Sequence, residues 1–112
     1  MDTIFCVFGS STTYGAWDFE ESGWVGRLRK FLDKKNLSNL SKLDDYFLIY
    51  GLGVDGDDTT RLLKRFEQES EARLSNWERE SRKIIFAIGL NDSCYRGTRD
   101  KVATPLNLFE NN

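Results

Sequence analysis

Histidine is absent from this chain of 112 residues. No side chain in it can therefore act as the imidazole base that serine nucleophiles ordinarily use. The same absence, with only two cysteines set far apart, argues against a transition-metal site. Cys6 in an apolar run and Cys94 in a loop do not make a disulfide framework; they read as free thiols, which points to a reducing cytoplasm. No apolar run approaches the roughly 20 residues of a membrane span. Asp2 follows the initiator and leads into a short apolar stretch, which does not read as a signal peptide. Basic residues are scattered and the net charge is −2, so no nucleic-acid partner is expected. Repeats and low-complexity segments are missing too.

What is present fits an ordinary globular chain. Hydrophobic residues make up 39% and charged residues 30%, enough apolar material for a core and too little charge for disorder. The length suits one small domain spanning residues 1–112. Thr3 to Phe8 is a short apolar run ended by Gly and Ser, the pattern of a parallel strand covered on both faces. Asp45 to Tyr50 and Lys83 to Ile88 repeat that pattern. Between the first two runs, Ser22-Gly23 opens a helix whose inner face carries Trp24, Val25, Leu28, Phe31 and Leu32. Asn36 to Leu43 reads as a loop. A second helix starts near Thr59, capped by Asp58 or Thr59, with Leu63, Phe66, Ser70, Leu74 and Trp77 as its inner stripe. The order is β-α-β-α-β, so right-handed crossovers imply a parallel sheet with covering helices.

Thr104-Pro105 pairs an N-cap residue with proline at the first helical position, and Leu106, Leu108 and Phe109 begin an apolar pattern there. The chain stops at Asn112, about two turns on. A helix begun late and a sheet of three strands suggest a domain incomplete at its C-terminus.

Three loops follow the three strands, so they meet at the C-terminal edge of the sheet, where open α/β sheets place their sites. The first is Phe8-Gly9-Ser10-Ser11-Thr12-Thr13-Tyr14-Gly15, the second Gly53-Val54-Asp55-Gly56-Asp57, the third Gly89-Leu90-Asn91-Asp92. Ser11 offers a hydroxyl nucleophile. Gly56 lets a backbone N–H reach a substrate with no side chain in the way. The Asn91 amide is a second donor and the Ser11 N–H a third. Three donors aimed at one point make an oxyanion hole. Each residue has an ordinary reading in isolation: Ser11 as turn chemistry, Asn91 as a turn or helix cap. The expectation is that Ser11, Gly56 and Asn91 face one small pocket.

These three segments resemble the first, second and third blocks of the SGNH, or GDSL-type, hydrolases. The stretch from Gly15-Ala16-Trp17 through Gly23-Trp24-Val25-Gly26-Arg27-Leu28 is also similar to bacterial members. The resemblance covers essentially the whole chain. It implies a flavodoxin-like three-layer α/β/α sandwich, strand order 2-1-3, and an acyl or acetyl ester hydrolase. Ser11 would be its nucleophile, with Ser11, Gly56 and Asn91 as its oxyanion hole. The partner would be a small-molecule ester, with no cofactor and no metal. Departures stand beside the match. Ser10 replaces the aspartate before the nucleophile, which raises Ser10 as a rival to Ser11; counting back from Thr13-x-Gly15 favours Ser11. Gly51 replaces a polar residue often found ahead of the second block. The D-x-x-H block that carries acid and base is missing. The alternative is a non-catalytic pseudo-hydrolase or binding fragment of the same fold.

A rival pattern exists. Gly51-x-Gly53-x-x-Gly56 satisfies the dinucleotide fingerprint. It follows the second strand, though, and Asp55, Asp57 and Asp58 would repel a pyrophosphate at the helix start. Those aspartates read as turn and capping residues. The order 2-1-3 also leaves the third strand with a free apolar edge, through which the chain is expected to self-associate.

Overall fold

The structure, a computed structural model, describes residues 1–40, 45–74, 78, 80–97 and 101–112. Strand β1 (Asp2–Gly9) leads into a one-turn helix α1 (Ser11–Tyr14), then helix α2 (Gly23–Leu37). Strand β2 (Phe47–Gly53), helix α3 (Thr59–Arg73), strand β3 (Glu80–Ala87) and helix α4 (Leu106–Asn111) follow. The strands are parallel and ordered β2-β1-β3. They end level: Gly9 pairs with Gly53 on one side and Ala87 on the other. The three following loops therefore leave the sheet side by side.

Alternation along β1 builds two cores. Val7 packs with Val25 and Leu32 of α2 and with Ile49. Cys6 and Phe8 pack on the opposite face with Leu52 and with Leu62 of α3. One helix covers each face, which makes a small three-layer α/β/α domain of the flavodoxin-like kind. Phe8, Phe66 and Phe86 form an aromatic cluster on the α3 face, with ring centroids 5.2–5.8 Å apart. Among the described residues no helix is long and apolar enough to cross a membrane. Both cysteines are free, and burial pushes the Cys6 thiol above its usual pKa.

Several sequence expectations shift. Coverage on both faces holds for β1 and, through Ile49 and Leu52, in part for β2; β3 is largely exposed, with no fully buried residue. Strand β2 runs through Gly53, so Gly51 to Gly53 belong to the strand and not to the loop. Phe31 is 63% exposed, on the outer side of α2. In α3 the buried position is Leu62, while Leu63 is half-exposed. The inner stripe is thus Leu62, Phe66 and Leu74, a phase shift of one residue at its start. Trp77 lies outside the described residues. Asp58 is the cap of α3, its side chain accepting from the Arg61 N–H at 2.9 Å. Pro105 flanks α4 and Leu106 opens it, one position later than expected.

Candidate functional site

The first loop is a turn of helix rather than an open turn. Ser10 stands at the N-cap of α1, buried, its carbonyl accepting from Tyr14 N–H at 3.0 Å. Ser11 is the first helical residue and half-buried. Of the two serines, Ser11 is the more accessible. Its N–H has no intrahelical acceptor, as befits a first-turn position, and makes no hydrogen bond among the described residues. Its hydroxyl has no partner among them either.

Gly53 explains how the first loop sits so close to the second strand. A side chain there would collide with the Ser10 carbonyl oxygen, 2.7 Å from an added Cβ, and with the backbone of Thr13 and Tyr14. The strand end is further tied by Val54 N–H donating to the Gly9 carbonyl at 3.1 Å. Gly56 follows in a left-handed conformation, φ 72°, which glycine adopts at no steric cost. Its N–H makes no hydrogen bond among the described residues.

Asn91 joins the third loop to the second: its Nδ2 donates to the Asp57 carbonyl at 2.8 Å. One amide proton is thereby used, and the other has no acceptor among the described residues. Asp92 is buried and accepts from Thr59 N–H at 3.0 Å and from Thr59 Oγ1 at 2.6 Å. Burial alone would raise its pKa. The hydrogen bonds from Thr59 and Thr104 outweigh burial and hold the carboxyl below its ordinary value. The segment after Asn91 turns back through a Tyr95–Val102 bridge, and Thr104 N–H then donates to the Asp92 carbonyl at 3.1 Å. Residues 98–100 lie outside the description.

Asp57 is the member that the sequence pattern undervalues. The pattern groups it with Asp55 and Asp58 as a turn residue, yet it is 1% exposed. Arg65, eight residues on, binds it through Nη2 at 2.6 Å and Nε at 3.0 Å. The available signal was an acidic residue just before a helix and an arginine on that helix's inner side, a spacing that surface pairs share.

The three loops meet at one edge, as the order β2-β1-β3 requires. Ser11, Gly56 and Asn91 stand on three adjacent loops at the C-terminal edge, and the second and third are bonded together. Two clefts lie on either side of the sheet among the described residues. One of about 450 Å³ lies between α2 and β2, lined by Thr13, Tyr14, Val25, Arg29 and Gly51 among others. An apolar one of about 310 Å³ lies under α4, lined by Gly89, Asp92, Val102, Leu106 and Phe109 among others. Neither is lined by Ser11, Gly56 or Asn91.

The fold and edge define a three-layer α/β domain whose polar loops gather where such sheets hold their sites. No protein-family model and no curated protein matches the chain.

Proposed function

We propose that this chain carries the nucleophile and oxyanion hole of an SGNH-type ester hydrolase. The observation that supports it most is the set of N–H groups at one sheet edge. Ser11 N–H, Gly56 N–H and the second Asn91 amide proton stand on three consecutive loops, each without an acceptor among the described residues. Partly exposed donors of this kind are free to turn from water to a developing oxyanion.

In this reading Ser11 Oγ attacks the carbonyl carbon of a small acyl or acetyl ester. A C–O bond forms, and the hydroxyl proton passes to a base. The carbonyl oxygen takes the negative charge and is held by the three donors. The carbonyl re-forms as the alcohol leaves with a proton, and water then releases the acid from Ser11. This chain has no histidine, so the base is not an imidazole of its own. That same absence favours a second reading, a non-catalytic member of the fold that binds an ester or another carbonyl ligand.

Hydrolysis of p-nitrophenyl acetate separates the two. Wild type and Ser11→Ala are compared with and without free imidazole. The hydrolase reading expects a trace rate alone, since oxyanion donors without the triad retain roughly 10³–10⁴-fold over water in serine hydrolases. It expects imidazole to raise the wild-type rate above that of Ser11→Ala. Equal rates for the two chains under both conditions favour the binding reading. Full-speed turnover without imidazole contradicts the account of the base.

A further inference from the structure

We propose that Arg65 is the positioning residue that holds the three loops in register and presents Asn91. The proposal rests on the reading of Asn91 as an oxyanion donor and adds a residue to which that reading gives no part. Arg65 is mostly buried on α3, its guanidinium 5.6 Å from the Phe8 ring centroid. It donates in three directions. Nε and Nη2 grip the buried Asp57 carboxylate at 3.0 and 2.6 Å. Nη2 also reaches the Gly9 carbonyl at 3.3 Å, at the end of β1 and two residues before Ser11. Nη1 donates to Glu69 at 3.3 Å, which orients the fork from behind.

The Asp57 backbone carbonyl is the group that Asn91 Nδ2 binds. One guanidinium thus ties the first loop to the second directly, and the third through Asp57. Only a planar fork fills this place, because a lysine ammonium cannot span the Asp57 and Gly9 acceptors while stacked on Phe8. Exposed arginine–aspartate pairs do little for a fold; this pair is buried, and its arginine also reaches the main chain at Gly9. Arg65 does not reach substrate itself. It acts by fixing the carbonyl that orients the Asn91 amide.

Side-chain amide NMR of the whole chain tests this. In wild type one Asn91 Hδ2 proton should exchange with solvent more slowly than its geminal partner, by about tenfold or more. The Arg65 Hε signal should persist at neutral pH. In Arg65→Lys, with the far-UV circular dichroism of wild type, the difference between the two Asn91 protons should disappear. Where that variant does not fold, Arg65→Gln or Asp57→Asn replaces it with the same expectation. Equal exchange of both Asn91 protons in wild type overturns the proposal with no variant needed. So does an Asn91 signal that stays protected in a folded Arg65 variant. The readout asks nothing of Ser11. Lost Asn91 protection with no ester chemistry at Ser11 keeps the network and removes the hydrolase reading; Ser11 chemistry with Asn91 unmoved does the reverse.

Discussion

Strands β1 and β3 carry nearly the same kind of sequence and meet different fates. Ile4-Phe5-Cys6-Val7-Phe8 and Ile84-Ile85-Phe86-Ala87-Ile88 are both unbroken apolar runs. Cys6, Val7 and Phe8 are fully buried, while Ile84 is 40% and Phe86 54% exposed. Place in the sheet makes the difference: β1 has a strand on each side and a helix on each face, and β3 has β1 alone among the described residues. Apolar composition marks a strand. It does not say whether the strand is central, and centrality decides both stability and where a site can be anchored. The loop that carries Ser11 leaves the most buried strand of the molecule.

The largest test of that contrast is a pair of truncations. Phe8→Ala should cost about 3–5 kcal/mol, the range for a buried phenylalanine. Phe86→Ala should cost about 1 kcal/mol, since half its surface already meets water. Urea unfolding measures both, and equal costs would mean that β3 is covered in solution. Next comes Asp57→Ala, which leaves Arg65 with only Glu69 and the Gly9 carbonyl as partners. Leaving a buried charge uncompensated costs about 3–5 kcal/mol; with Glu69 still paired and 17% of the Arg65 side chain in solvent, the cost should be nearer about 2 kcal/mol. The fall in the urea midpoint should lie between those of the two phenylalanine variants.

A third prediction concerns the open side of β3. A long apolar edge is a template for another chain, and a charge on it blocks pairing. Wild type should show a concentration-dependent elution volume in size exclusion at micromolar levels. Ile84→Lys should elute as a monomer with its stability changed by less than about 1 kcal/mol. A monomeric wild type would mean that the edge is already protected. The smallest effect is in acid. Asp92 has its pKa lowered in the folded chain. Its stabilising contribution is therefore full above the unfolded value of about 4 and is lost as pH falls through the lower folded value. In that acid range the urea midpoint of wild type should drop further than that of Asp92→Asn.

The same contrast sets what could be read without coordinates. Three apolar runs separated by amphipathic helices were enough for the parallel sheet and the three loops on one edge, while its order 2-1-3 followed from the fold that the resemblance implies. Burial within an element was harder. Leu62 and Leu63 are chemically identical, so the phase of α3 depends on packing against Phe8 and Leu52, which are distant in sequence. Phe31 fits the apolar spacing of α2 yet faces outward, because Val25 and Leu32 already fill the contact with Val7 and Ile49. The three loops that carry Ser11, Gly56 and Asn91 were legible as glycine-containing turns after apolar runs. The clamp that ties their loops was not. Asp57 is set apart from Asp55 and Asp58 by its burial and by Arg65, which reaches it from two helical turns away and extends across to Gly9.

Phosphonylation tests most directly whether Ser11, Gly56 and Asn91 act as one site. The chain is treated with a short-chain p-nitrophenyl alkylphosphonate in the presence of imidazole, and the labelled residue and rate are read by peptide mass mapping. The account predicts a single adduct on Ser11, formed about 10²–10³-fold more slowly in Asn91→Ala, the size of effect seen when one oxyanion donor is removed. Label on Ser10 or on a surface side chain, or a Ser11 rate that Asn91→Ala leaves unchanged, would contradict it.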